Sequence, residues 1–135
     1  MRRFYESLWN AWDDESVDEV LAPDFWFRGS LGTFVTGRDA WRGYRDSVRS
    51  GSPDFHVEVV DLVCDERRAA ARLVCAGHHV GTLLGISGSG RFFRYDAAAF
   101  FTRTNSLLDR GWVLGDLDTL RRQLTSAEPG GPGGT

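Results

Sequence analysis

Apolar side chains recur at helical spacing at the start of the chain. Phe4, Tyr5, Leu8, Trp9 and Trp12 predict a first helix with one broad apolar face. A shorter helix follows, with Val17, Val20 and Leu21 inward and Pro23 ending it. Phe25-Trp26-Phe27 predicts a strand or an extended entry into the core, and Ser30-Leu31-Gly32-Thr33 a turn. Gly37-Arg38-Asp39 opens a third helix that turns Ala40, Trp41, Tyr44 and Val48 inward and stops at Ser50-Gly51-Ser52-Pro53.

From Phe55 the period changes. Phe55 to Cys64 is β-branched and apolar, Asp65-Glu66-Arg67-Arg68 is a charged hairpin turn, and Ala69 to Thr82 is the return strand. Gly85 to Gly90 is a loop, Phe92 to Thr104 a third long strand, Asn105 to Arg110 a turn and Trp112 to Gly115 a fourth strand. Leu117, Leu120 and Leu124 mark a short last helix. Helices first and consecutive antiparallel strands afterwards make an α+β pattern. The expected shape is a cone: a strongly curved, mostly antiparallel sheet, with the N-terminal helices covering one face and a central pocket at the mouth. One domain is expected over 1–125. Residues 126–135, ending Glu128-Pro129-Gly130-Gly131-Pro132-Gly133-Gly134-Thr135, bury nothing and predict a disordered tail.

The composition suits that picture. A chain of 135 residues supports one core. A 41% hydrophobic share is globular rather than disordered. A formal charge of -3 argues against nucleic acid, which calls for a basic stripe. No apolar run is long enough for a membrane span. Arg2 and Arg3 are followed by Glu6, Asn10, Asp13 and Asp14 rather than by an apolar stretch, so no signal peptide is expected. Cys64 and Cys75 sit in apolar runs and read as buried thiols of a cytoplasmic protein, with neither a disulfide nor a zinc site expected.

Two residues stand out as candidate chemistry. Asp116 shares strand parity with Leu114 and Trp112. A carboxylate on such an apolar row loses water, and its pKa rises toward that of a general acid or base. The same aspartate precedes the last helix, where it could instead cap the amides of Asp118 or Thr119, which lowers the pKa. Both readings stand at this point. His78 and His79 point to opposite faces; the parity of Arg72 sends His79 inward unless a bulge near Gly77 reverses it, and there it either meets a ligand oxygen or Asp116 or is a core histidine with ordinary partners. Tyr44 and Tyr95 offer hydroxyls, and Asp96 is either a second pocket carboxylate or a solvated partner of Arg94. Aromatic residues make up 13% of the chain, more than a small core demands. Trp12, Trp41 and Trp112 therefore join Tyr44, Tyr95 and Asp96 as candidate substrate contacts. Gly85-Ile86-Ser87-Gly88-Ser89-Gly90 is not a phosphate loop, because a strand rather than a helix follows and no Gly-Lys-Ser/Thr is present.

Several segments together resemble the SnoaL-like polyketide cyclases of the nuclear transport factor 2-like superfamily. They are Phe4 to Asn10, Leu21-Ala22-Pro23-Asp24-Phe25, Gly37-Arg38-Asp39-Ala40 and Pro53 to Val57. To these are added His79-Val80-Gly81, Gly90-Arg91, Trp112 to Asp116 and Leu120-Arg121-Arg122-Gln123-Leu124. The resemblance implies an α+β cone, no metal or organic cofactor, and intramolecular aldol ring closure of a small apolar or aromatic polyketide-like substrate. It also implies that Asp116 is the acid/base, that His79 polarises or orients a substrate oxygen, and that the chain forms a homodimer through its exposed sheet face. Ala11-Trp12-Asp13-Asp14 departs from the small, glycine-containing turn that relatives often carry there. The alternatives are an epoxide-opening cyclase or hydrolase, with Asp96 or Tyr95 as the second acid, and a non-catalytic ligand-binding or dimerising module.

Overall fold

A computed structural model describes residues 1–125, so the expected tail at 126–135 lies outside the described residues. Six strands form one curved, open sheet in the order β2-β1-β6-β5-β4-β3. They are β1 (Leu21–Arg28), β2 (Phe34–Thr36), β3 (His56–Cys64), β4 (Arg68–His78), β5 (Phe92–Thr104) and β6 (Leu107–Gly115). All neighbours are antiparallel except β1 and β6, which run parallel. A π-helix (Phe4–Asn10), α1 (Val17–Val20), α2 (Arg38–Gly51) and α3 (Leu117–Thr125) complete the fold. No helix among the described residues is long and apolar enough to cross a membrane.

The first helical segment is wound as a π-helix, with the Ala11 amide reaching back to the Glu6 carbonyl at 3.0 Å. Phe4, Tyr5, Leu8 and Trp9 are all buried on its inner face. Phe4 is the hub, with ring centroids 5.0 Å from Phe101, 5.4 Å from both Phe27 and Trp41, and 5.9 Å from Phe25. The segment is tied to the edge strand by one side chain. The Asn10 amide nitrogen donates to the Val57 carbonyl at 2.8 Å, and the Val57 amide donates back to the Asn10 oxygen at 2.8 Å. The asparagine thereby pairs with β3 as another strand would.

Several boundaries differ from the sequence reading: β4 stops at His78 rather than Thr82, which leaves His79 outside the strand, and three others have a local reason. Leu21 belongs to β1 rather than to the helix before it, and Pro23 lies inside that strand. The β1–β6 register is irregular between Leu21 and Trp26, where the missing proline N–H cannot pair. The sequence reading leaves out β2, a short edge strand. β6 begins at Leu107 because the β5–β6 connection is only Asn105-Ser106, both in the left-handed region at φ 52° and 73°. That backbone suits a two-residue hairpin.

Trp12 also lies in the left-handed region, at φ 58°. A non-glycine residue is costly there, which explains why a glycine-containing turn is the easier solution. Two guanidiniums hold the indole: Arg45 lies 4.3 Å and Arg49 4.1 Å from its ring centroid. Arg45 is itself buried, and Asp14 at 2.7 Å and the Leu8 carbonyl at 3.4 Å satisfy it. Trp12 is thus a half-buried clasp between α2 and the first helical segment, not a pocket residue. At the far end of α2, the exposed His78 ring meets Asp54 at 2.6 Å. Bonds from His78 and Ser52 draw the Asp54 carboxyl down to about 2.

Both cysteines are free, but only Cys75 is buried; Cys64, on the edge strand β3, is exposed. Burial pushes the Cys75 thiol up to about 12. One thiol should therefore react with a disulfide reagent in the native protein at pH 8, and the second only after denaturation. Trp12→Ala keeps the unfavourable φ and loses both guanidinium contacts, whereas Trp12→Gly loses the contacts but relieves the backbone. In urea unfolding the glycine variant should be the more stable of the two by about 1 kcal/mol. An alanine variant of equal or greater stability would contradict the strain at this position.

Candidate functional site

The concave face of the sheet and the helical layer enclose one narrow hollow. Its lining includes Tyr5 and Trp9 from the π-helix, Tyr44 from α2, Ser30 from the β1–β2 turn, Cys75 from β4 and Val113 from β6. The hollow holds about 20 Å³, room for one water and not for a ring. Some of the lining groups are linked through the buried Tyr95, which is not itself among the lining residues. The Tyr95 hydroxyl lies 2.8 Å from the Ser30 hydroxyl and also meets the Cys75 thiol. The Leu31 amide and Ser30 face the Tyr44 hydroxyl. Gly29 makes this approach possible, since a Cβ there would overlap the Tyr44 phenol. Burial pushes the Tyr5, Tyr44 and Tyr95 hydroxyls well above the ordinary phenol range. They therefore serve as neutral hydrogen-bond donors. The tyrosine ring edges, Trp9, Phe27 and Phe55 make the rest of the wall apolar.

The desolvated carboxylate expected at Asp116 is absent from this hollow. Asp116 is exposed and caps α3: its oxygens accept the Thr119 amide at 3.1 Å and the Thr119 hydroxyl at 2.7 Å. Those bonds hold its carboxyl below the usual range, the reverse of the expected rise. The parity of β6 explains the difference. Trp112 and Leu114, expected on the core-facing row with Asp116, point outward. The inward row is Gly111, Val113 and Gly115. A Cβ at Gly111 would run into Phe27 and Phe101, and one at Gly115 into Ser30 and Tyr95, so the large side chains have no room inside.

His79 is fully buried but faces neither the hollow nor Asp116. Its Nε2 donates to the Ile86 carbonyl at 2.9 Å, and its Nδ1 accepts from the Ser89 amide at 3.2 Å and lies 2.9 Å from the Ser89 hydroxyl. Both nitrogens are spent on the loop between β4 and β5. Trp41 is fully buried among Phe4, Trp9 and Arg45, behind the hollow rather than on its wall. Asp96 is exposed on the outer side of β5, and its carbonyl accepts the Asp116 amide. Of the candidate substrate contacts, Tyr44 and Tyr95 are the ones the structure brings together inside. Sequence reasoning missed Tyr5, Trp9, Ser30 and Cys75. The available signal was a hydroxyl and an indole N–H on an otherwise apolar helix face, groups that need a partner once buried.

A family model described as SnoaL-like polyketide cyclase matches residues 1–124. No curated protein matches the chain. Among solved structures, the fold is shared with TsrD from Streptomyces laurentii at 29% identity, covering 93% of this chain and 91% of that one, with a TM-score of 0.81. IdmH from Streptomyces antibioticus, assigned as a polyketide cyclase, shares 26% identity over 91% of this chain and 94% of its own, with a TM-score of 0.78. A protein from Jannaschia sp. CCS1, assigned as a SnoaL-like polyketide cyclase, superposes with a TM-score of 0.83 at 20% identity, covering 95% and 90%. With a matched span running from the π-helix through α3, the chain belongs to the SnoaL-like polyketide cyclase family.

Proposed function

We propose that this chain closes a ring in a polyketide-like small molecule, without a cofactor, inside the cone. The observation that carries the reading is the hollow itself: a largely apolar, aromatic cavity whose polar side chains among the described residues are uncharged. Such a wall holds a conjugated polyketide away from water and keeps its reacting ends together, which removes the entropic cost of their meeting. The walls must part to admit a ring. In the ring closure a base takes a proton from a carbon flanked by two carbonyls. The enolate carbon attacks a ketone of the same molecule, and the alkoxide formed receives the proton. Buried phenols stabilise both oxyanions by donating to them.

Asp116 is the proposed proton carrier. Its neighbour Gly115 packs against Tyr95 and against Ser30 of the hollow, while the Asp116 side chain itself is exposed beside that row. While it accepts from Thr119 it is a weak base; leaving that cap for an apolar pocket raises its pKa toward the working range. On this reading a substrate displaces Thr119 from Asp116. His79 acts as a positioning residue, holding the loop rather than touching the ligand. Epoxide opening is the alternative: of its two candidate second acids, Asp96 faces solvent, whereas the Tyr95 hydroxyl is buried beside Ser30. The filled hollow and the capped Asp116 favour a second reading, a module that binds without turnover.

A second copy of the chain is the proposed occupant of the outer sheet face. Phe34, Phe100, Trp112 and Leu114 are exposed there, with Phe100 and Trp112 directly opposed across β5 and β6. Arg28 lies over Trp112 at 5.2 Å and Arg110 over Trp26 at 5.1 Å. Exposed aromatic and aliphatic side chains grouped on one sheet face support an interface there.

Two experiments test these readings. Purified protein is offered a panel of linear and partly cyclised polyketide methyl esters, and ring closure is followed by absorbance and mass-neutral change in retention. Asp116→Asn should lower kcat at least 100-fold. Thr119→Val should keep turnover and move the acid limb of the pH–rate profile upward, since Asp116 loses a donor that depresses its pKa. Full turnover by Asp116→Asn removes the carboxylate from the mechanism, and saturable binding with no turnover by any form leaves the binding module. In light scattering, the wild type should have twice the mass of the Phe100→Asp/Trp112→Asp variant. A monomeric wild type refutes the outer-face interface.

A further inference from the structure

Three buried donors lack a partner among the described residues, and two of them belong to residues lining the hollow, the third being Trp41 Nε1 outside its lining. The Tyr5 hydroxyl and the Trp9 Nε1 are buried and have no hydrogen-bond partner among the described residues. The two residues are 3% and 5% exposed, and both line the hollow. Cys75 and Tyr44 belong to the same wall as Tyr5. Trp9 packs against Tyr44 at 6.0 Å and Phe55 at 5.5 Å between ring centroids, again on that wall. A buried polar group without a partner is unfavourable, and native interiors hold few of them. Two in one small space, carried one turn apart on the same π-helix, mark a place made for an acceptor. π-helical turns are frequent at functional sites.

The chemistry of the pair narrows the acceptor. An indole N–H only donates, and a phenol held neutral by burial donates readily. Two unpartnered donors on one wall suit an oxygen that only accepts. Tyr44, Tyr95, Ser30 and Cys75 are already linked to one another or to Leu31. Tyr5 and Trp9 are left free.

We propose that Tyr5 and Trp9 form a two-donor site for a carbonyl oxygen of the ligand, and so select ketones and quinone-like polyketides over hydrocarbons or alcohols of the same shape. The inference rests on the hollow being the ligand site, as in the proposed function, and adds which atoms read the ligand. In a ring closure the same pair polarises the ketone that the enolate attacks, or holds the enolate oxygen.

The test uses 9-fluorenone and fluorene, two flat molecules of nearly equal shape that differ in one carbonyl. Binding to the full chain is followed by quenching of tryptophan fluorescence, and the bound ketone by its carbonyl stretching frequency. The wild type should prefer fluorenone by about tenfold, the worth of one or two hydrogen bonds, and should lower the stretching frequency. Tyr5→Phe and Trp9→Phe should each shrink the preference and part of the frequency shift, while fluorene binds as before. Tyr5→Phe removes only an unsatisfied hydroxyl, so its melting temperature should equal or exceed that of the wild type. A lower melting temperature means that the hydroxyl has a partner in the free protein, which overturns the proposal. Equal binding of both probes by the wild type overturns the donor pair and leaves the hollow as a ligand site. Failure of both probes to bind overturns the pair and counts against the hollow as well.

Discussion

The interior of this protein depends on how its first ten residues are pinned across the open face of the sheet. The concave side of six strands cannot stay wet, and the π-helix is what closes it. Asn10 ties the segment to the backbone of β3, and Arg45 and Arg49 of α2 tie the turn after it through Trp12 and the Leu8 and Trp9 carbonyls. Phe4 then reaches Phe25, Phe27 and Phe101, while Tyr5 and Trp9 complete the wall of the hollow. Removing a partner from a buried charge such as Arg45 leaves an uncompensated ion, so this tether is strong only while all of its members are present.

The tether also limits what the cone can do. A space of about 20 Å³ is far below the volume of a cyclised ketide. Ring closure inside the cone, as proposed, therefore requires movement, and the wall is not uniform. β4 and β5 pair without interruption from Arg68 to His78, whereas the helical wall is one short segment held by side chains. Movement is expected where side chains, not ladders, supply the restraint.

The α+β order, the span of α2, the long β5 and the last helix were all legible in the sequence, because each is written in a sustained period of apolar residues. Family membership was legible too, from short segments in the right order. What failed was the facing of β6. Its large residues, Trp112 and Leu114, look like an inner row, and Gly111 and Gly115 look like interruptions. The interior is so crowded with Phe27, Phe101 and Tyr95 that only the glycine row fits against it. Asp116 followed the wrong row, and with it went the expectation of a dry carboxylate. The polar tips of Tyr5 and Trp9 were on view in the sequence but were absorbed into a count of apolar positions. The π-winding and the hairpin at Asn105-Ser106 had no periodic signal to read.

The parallel pairing of β1 with β6 has a bearing on how the chain reaches its shape. β6 sits between β1 and β5, so the β1–β2 hairpin has no neighbour until residues near the end of the described chain are in place. The β3–β4–β5 meander can assemble from local contacts, but the N-terminal aromatic layer must wait for a distant segment to bridge it. Contacts so remote in sequence form late and slowly, leaving phenylalanine and tryptophan surfaces uncovered in the interval. Newly made chains of this protein are thus most vulnerable to sticking to one another just before their last strand arrives.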